Sequence, residues 1–236
     1  MASLYLIRHG QASFGSANYD QLSALGQRQA DVSGHFFADI GLHFGQAVSG
    51  DLSRQQETGQ RVLASQPEPA DLRTDPRLNE VDNEGQIAAL LPILCEQDAD
   101  FAERVKAGRS DSKQYQKVIQ AVLNAWVSPD CPTLDGTASW PDYLAGVRGA
   151  LEEAMEQAES GSDTAIFTSG GTIATAVSWV LGVPHDQIYG FYEPVFNCSI
   201  TRLIFSRGRV SLSNFNDTAH LQLLSQQLGE ALVTYR

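Results

Sequence analysis

Hydrophobic residues fall along this chain in two alternating rhythms, short unbroken runs and longer stretches of helical spacing. Residues 3–8 form a short apolar run suited to a parallel strand buried on both faces. After a polar loop, Ser23 is placed to cap a helix whose apolar positions Leu25, Val32, Phe36 and Ile40 share one face, with Gly41 as its stop. Residues 45–49 predict a second short strand, and a helix follows from near Asp51. Two such steps favour a parallel sheet with right-handed crossovers. The middle of the chain changes character. Tyr115, Val118, Ile119, Val122, Leu123 and Trp126 repeat at helical spacing, preceded by two weaker helical patches broken at Pro92 and Gly108. Residues 84–130 thus read as a helical insertion. Ser139, with Asp142 three residues on, opens another helix at capping-box spacing. Strand character returns at 163–168, a helix then ends at Gly182, and residues 199–215 read as a hairpin turning at Arg207-Gly208. The expected architecture is α/β: a three-layer, mostly parallel central sheet flanked by helices, with the insertion over the carboxyl ends of the strands. A hairpin closes it, and residues 1–236 form a single domain.

Composition narrows the class. The chain has 236 residues, 42% of them apolar and 19% charged, which is ordinary for a globular protein. Its net charge is −12 with lysines and arginines dispersed, which argues against nucleic acid or an anionic membrane as partner. An anionic ligand therefore needs a local cationic pocket. Three irregularly spaced cysteines suit reduced thiols rather than a disulfide framework or a zinc site, and no apolar run approaches 18 residues. A cytoplasmic protein without metal or cofactor is expected. Its oligomeric state is not legible.

Chemistry enters at the strand ends. Ligands of open parallel sheets bind beyond the carboxyl ends of the strands. Arg8 and His9 follow the first strand, Arg54 lies in the first turn of the helix after the second, and Ser169, Gly170 and Gly171 lead from the third into a helix. Two guanidiniums offer paired donors to phosphate oxygens. A Gly-Gly turn at a helix N-terminus brings backbone N–H groups to an anion. His9 is the one good nucleophile of the set at neutral pH. Each fragment is weak alone, and their shared position gives them weight.

The segment "LIRHGQ" resembles the signature of the histidine phosphatase superfamily, which includes the cofactor-dependent phosphoglycerate mutases. "LSALGQRQA" (22–30), "SGDLSRQQET" (49–58), "RLNE" (77–80), "NCSITRL" (197–203) and "NFNDTAHL" (214–221) are similar to further motifs of that family. The likeness covers roughly residues 3–85 and 163–221. It implies a phosphohistidine mechanism with His9 as nucleophile and Glu80 as proton donor. Phosphate would be held by Arg8, Arg54, Ser169, Gly170 and Gln11. Two departures stand out. Ser169 occupies the place where the family usually carries a second histidine. Gln11 stands where the resembled mutases carry glutamate, and the loop 12–20 also differs from theirs. The implied function is hydrolysis of a small phosphorylated metabolite. The alternatives are a catalytically weak or silent sensor of phosphorylated ligands and, further behind, a phosphomutase.

Overall fold

The computed structural model describes residues 2–13, 20–108, 112–206 and 208–235. Arg207 of the predicted turn, residues 14–19 of the loop 12–20 and the Tyr115 side chain lie outside the described residues. The chain begins with β1 (Ala2–Arg8), α1 (Ala24–Asp39), β2 (Phe44–Ser49), α2 (Ser53–Leu63) and the short β3 (Leu72–Thr74). Three helices follow, α3 (Asn83–Gln97), α4 (Ala99–Gly108) and α5 (Ser112–Trp126), then the long α6 (Trp140–Gln157). The remainder is β4 (Asp163–Thr168), α7 (Gly170–Leu181), the single-turn α8 (Tyr189–Tyr192), β5 (Ile200–Ser206), β6 (Arg209–Asp217) and α9 (Ala219–Leu228).

The six strands form one sheet in the order β3-β2-β4-β1-β5-β6. The first four are mutually parallel, and β5 and β6 join as an antiparallel hairpin on β1. The strand β1 shows why an unbroken apolar run predicts a central strand. Leu4 and Leu6 pack on one face with Ile166, Ile173 and Leu151, under α6 and α7. Tyr5 and Ile7 pack on the other with Phe37, Phe167 and Leu221, under α1, α2 and α9. A third cluster joins α3, α4 and α5 to Val81, Ala174 and Tyr189, so this helical layer covers the carboxyl ends of the strands.

Local chemistry sets most of the expected boundaries. The Ser23 hydroxyl accepts from the Gly26 N–H at 3.0 Å, and Ser139 accepts from Asp142 while donating to its carboxylate. Gly41 and Gly182 stand in the left-handed conformation at their helix ends. Four details differ from the sequence reading. The buried surface of α1 is wider than the apolar face assigned to it: Val32 is buried and Leu25 and Phe36 pack on the core as expected, Ile40 is 56% exposed, and Gly26, Gln29, Ala30, Ser33, Gly34 and Phe37 are buried as well. Small and polar residues line it because α2 and α9 approach closely there. Pro92 does not break a helix; α3 runs through it to Gln97. The break falls at Asp98, whose carboxylate caps α4 by accepting from the Phe101 N–H. Packing of Leu90, Leu91 and Leu94 on α5 offsets the hydrogen bond that the proline forgoes. The three-residue β3 and the helix α9 were not anticipated.

Candidate active site

The parallel register brings three chain segments to one place. Arg8 of β1 pairs with Thr168 of β4, and Ser49 of β2 with Phe167. The ladder continues one residue further, with the His9 N–H on the Thr168 carbonyl at 2.8 Å and the Gly50 N–H on the Phe167 carbonyl at 3.1 Å. His9, Gly50 and Ser169 therefore leave the sheet side by side.

His9 is 4% exposed. Its Nδ1 lies 2.7 Å from the Gly10 carbonyl, which can only accept, so Nδ1 carries the proton. Its Nε2 accepts from Arg54 Nε at 3.2 Å. The ring is thereby fixed as the neutral tautomer with its lone pair facing Arg54. Burial, followed by the Arg8 and Arg54 charges, lowers its pKa well below that of an ordinary histidine. The backbone behind it is clamped from the start of the hairpin: Asn197 Nδ2 donates to the His9 carbonyl and the Cys198 N–H to the Arg8 carbonyl. Cys198 holds a φ of 52° to make that contact, a strained conformation of the kind that collects around functional sites. Burial pushes its thiol up to about 12, so it is inert as a nucleophile.

The two guanidiniums are anchored differently. Arg8 Nη1 donates to the carbonyls of Val195 and Tyr235. Arg54 Nη1 pairs with Asp20 Oδ1 at 2.8 Å, while Asp20 Oδ2 accepts from the Ser53 N–H and so caps α2. The segment bearing Glu80 follows a single 3-10 turn, Pro76–Leu78. Thr168 Oγ1 donates to the Leu78 carbonyl, and the Tyr143 and Thr172 hydroxyls donate to that of Asn79, which fixes the approach to Glu80. Glu80 Oε1 accepts from its neighbour Val81 N–H at 3.0 Å and from Gly171 N–H at 2.9 Å. Burial raises its pKa, against the opposing charges of Arg8 and Arg54 and its two hydrogen bonds. Gly171 is needed here, because a Cβ would stand 2.3 Å from Glu80 Oε1.

Ser169 is fully buried at the N-cap of α7, yet its side chain does not cap the helix. Its Oγ accepts from Gln55 Nε2 at 2.8 Å. Gly170 lies beside it, its Cα facing Arg8 Nε and the Tyr192 ring. Gln11 sits further out, tied to the start of α1: its Oε1 accepts from Ser23 and its N–H donates to Gln29. Sequence reasoning did not single out Asp20, Gln55, Tyr143 or Asn197. A signal for Gln55 exists, since it falls on the buried stripe of α2 with Thr58, Gly59 and Val62. His220 is buried, stacked on Phe36, and its Nε2 lies 3.0 Å from Ser33 Oγ, away from this cluster. Among the described residues no group of three or more histidines, cysteines or carboxylates is disposed to hold a metal. A cavity of about 480 Å³ opens at the opposite end of the sheet, by Ala2, Trp179 and Arg209, and contains none of these groups.

The arrangement combines a neutral imidazole with an oriented lone pair, two guanidiniums, helix N-terminal amides and a carboxyl group whose pKa is raised. Comparisons with known proteins bear on it directly. The sequence model of the histidine phosphatase superfamily (branch 1) matches residues 4–88 and 84–218, and so extends into the middle helices, beyond the motifs quoted above. No curated protein matches the sequence. Solved structures with the same fold include a phosphoserine phosphatase of Entamoeba histolytica, 19% identical with a TM-score of 0.65, covering 94% of this chain and 100% of its own. A mycobacterial glucosyl-3-phosphoglycerate phosphatase is 22% identical with a TM-score of 0.60, covering 92% and 99%. A phosphoglycerate mutase of Bacillus anthracis is 17% identical with a TM-score of 0.63, covering 93% and 94%. On the family match, which takes in nearly the whole chain, this protein belongs to the histidine phosphatase superfamily, branch 1.

Proposed function

We propose that this chain, acting as one domain over residues 1–236, hydrolyses phosphomonoesters of a small phosphorylated metabolite through a phosphohistidine on His9. The observation that carries the reading is the tautomer. With its proton on Nδ1, held by the Gly10 carbonyl, His9 presents Nε2 as a nucleophile without needing a base. Nε2 attacks phosphorus, an N–P bond forms and the ester P–O bond breaks. Glu80, whose pKa is raised by burial, is the proton donor of this reading and gives its proton to the leaving oxygen. Water then attacks the phosphohistidine, its proton passes to Glu80, and the N–P electrons return to Nε2.

The donors follow the charge. Once Nε2 is bonded to phosphorus it can no longer accept from Arg54 Nε, so that N–H turns to a phosphoryl oxygen. Arg8, the Ser169 hydroxyl and the Gly170 N–H at the start of α7 complete the cradle. Gln11, whose Oε1 is engaged by Ser23, offers its Nε2 end. The names of the neighbouring phosphatases, which act on phosphoserine and on a glucosylated phosphoglycerate, support a small phosphorylated metabolite as substrate. A net charge of −12 supports the absence of nucleic acid and anionic membranes from its partners, and no described helix is long and apolar enough to cross a membrane.

The test is phosphate release over a panel of phosphorylated metabolites, combined with trapping of labelled phosphohistidine. His9→Ala is expected to abolish both while keeping the thermal melt, since the side chain ends a strand rather than filling the core. Glu80→Gln is expected to slow alkyl phosphates far more than aryl phosphates, whose phenolates leave without a proton. A folded His9→Ala variant that releases phosphate near the wild-type rate refutes the reading.

A further inference from the structure

The buried face of α2 carries Arg54, Gln55 and Thr58 where a core-facing helix would hold aliphatic side chains. Two of these have evident duties: Arg54 meets His9, and Thr58 Oγ1 accepts from the Gly10 N–H beside it. Gln55 is fully buried, and its described hydrogen bonds reach neither His9 nor either arginine. Its Nε2 donates to the Leu78 carbonyl at 3.2 Å and to Ser169 Oγ at 2.8 Å. Its Oε1 is buried without a hydrogen-bond partner among the described residues. The chain also keeps glycine at position 50, where a Cβ would stand 1.9 Å from that oxygen.

The orientation of this amide is decided by Leu78. A carbonyl only accepts, so the NH2 end must face it, and the same NH2 then faces Ser169. Ser169 Oγ is therefore obliged to accept, and its single proton is turned away from Gln55. Nor is Oγ taken up by the N–H groups at the start of α7, which the side chain leaves uncapped. Ser169 lies one step along the ladder from Thr168, abreast of His9, and next to Gly170. No described hydrogen bond takes up that proton.

We propose that Gln55 is a positioning residue of the phosphoryl transfer, locking the Ser169 hydroxyl as a donor to the transferring phosphoryl group. The proposal rests on the reading of this site as a phosphoryl-transfer centre. Without Gln55 the hydroxyl rotor regains its freedom and the donor is lost for part of the time, as if serine had been truncated. The orphaned Oε1 fits this account, because the amide is held by what it does for Ser169 rather than by its own full satisfaction.

A double-mutant cycle tests it, with Ser169→Ala, Gln55→Leu and the pair, and with Gln55→Met as a second variant should leucine compromise folding. Two readouts are taken: kcat and KM on the best phosphomonoester, and orthovanadate and inorganic phosphate binding by calorimetry, which needs no turnover. Each single variant is expected to lower kcat ~3–30-fold with little change in KM, in line with one neutral donor, and to weaken orthovanadate similarly. The double variant should be no worse than the poorer single. Losses that multiply in the double variant, or Gln55 variants with wild-type kcat and orthovanadate affinity, overturn the proposal. If the wild type turns over no phosphomonoester, the functional reading falls while the titrations still decide: non-additive weakening supports the positioning role, and unchanged affinity refutes it.

Discussion

Gly171→Ala separates catalysis from stability at a single atom. The added Cβ would stand 2.3 Å from Glu80 Oε1 and 3.0 and 3.1 Å from the two methyls of Val81. The valine needs to give only by a few tenths of an ångström. Glu80 Oε1 must retreat by about 1.1 Å to reach an ordinary contact of 3.4 Å, and in doing so it leaves the Gly171 N–H that now holds it at 2.9 Å. The hydrogen bond lost is to the carboxyl group that the reading holds neutral, and it contributes about 0.5–1.5 kcal/mol. Against this, alanine in place of a helical glycine returns ~0.5–1 kcal/mol, and the Glu80 side chain can swing rather than strain. The net cost is at most about 1 kcal/mol, which caps the fall in Tm at roughly 2–4 °C for a chain of this size. Catalysis should suffer far more, because displacing a reacting group by about 1 Å typically costs ~10²-fold. The assay is kcat/KM on a matched alkyl and aryl phosphate pair, with a thermal melt of each protein. Expected are a ~10²-fold loss on the alkyl ester, a loss of only a few-fold on the aryl ester and a nearly unchanged melt. Equal losses on both esters would show that Glu80 is not the proton donor or that Gly171 does not place it.

The perturbed groups also set two pH responses. His9 loses its nucleophilic lone pair only as pH falls through its lowered pKa, whereas Glu80 loses its proton as pH rises through its raised one, so kcat/KM should be bell-shaped. Glu80→Gln should remove the alkaline limb alone, and an alkaline limb that survives in this variant contradicts the assignment. For stability, burial pushes His220 down to about 4, so between there and ~6.5 the unfolded chain binds a proton that the native one does not. Its contribution is present above pH ~6.5 and is lost on acidification through about 4, amounting to ~3 kcal/mol. His220→Gln should therefore show a smaller drop in urea midpoint between pH 7 and pH 4; an unchanged drop refutes the linkage.

What the sequence disclosed was mostly local. Serine caps at 23 and 139 and left-handed glycines at 41 and 182 act within one helical turn, and they set the boundaries expected of them. The unbroken run of β1 announced a strand covered on both sides, and the arginine and histidine at its end marked where the sheet opens. Properties decided by distant partners stayed hidden. Ile40 continues the periodicity of α1 but is exposed at its end, while small and polar residues beside the apolar face are buried where α2 and α9 dock. Pro92 lies within a helix because tertiary packing outweighs its propensity. In the candidate site, the convergence of Arg8, His9, Arg54 and Ser169 follows from topology and was expected, that of Glu80 was implied only by the family resemblance, and their chemical roles remain the proposal above. The contacts that orient them come from Gln55, Asp20 and Asn197, polar residues whose meaning depends on neighbours more than 30 residues away.

The position of β1 in the sheet has a consequence for how the protein is made. This first strand lies in the middle, flanked by β4 and β5, with Leu4 opposite Thr164 and Ala2 opposite Phe205. Synthesis proceeds from the N-terminus, so more than 150 residues must be added before either flank of β1 can be paired. Throughout that time a run of apolar side chains and unpaired backbone groups waits without its partners, a template for association with other chains. Closing such distant pairings is slow compared with forming helices, which makes the centre of the sheet the late step of folding. His9, the proposed nucleophile, sits at the end of that strand and meets its partners only after the step is complete.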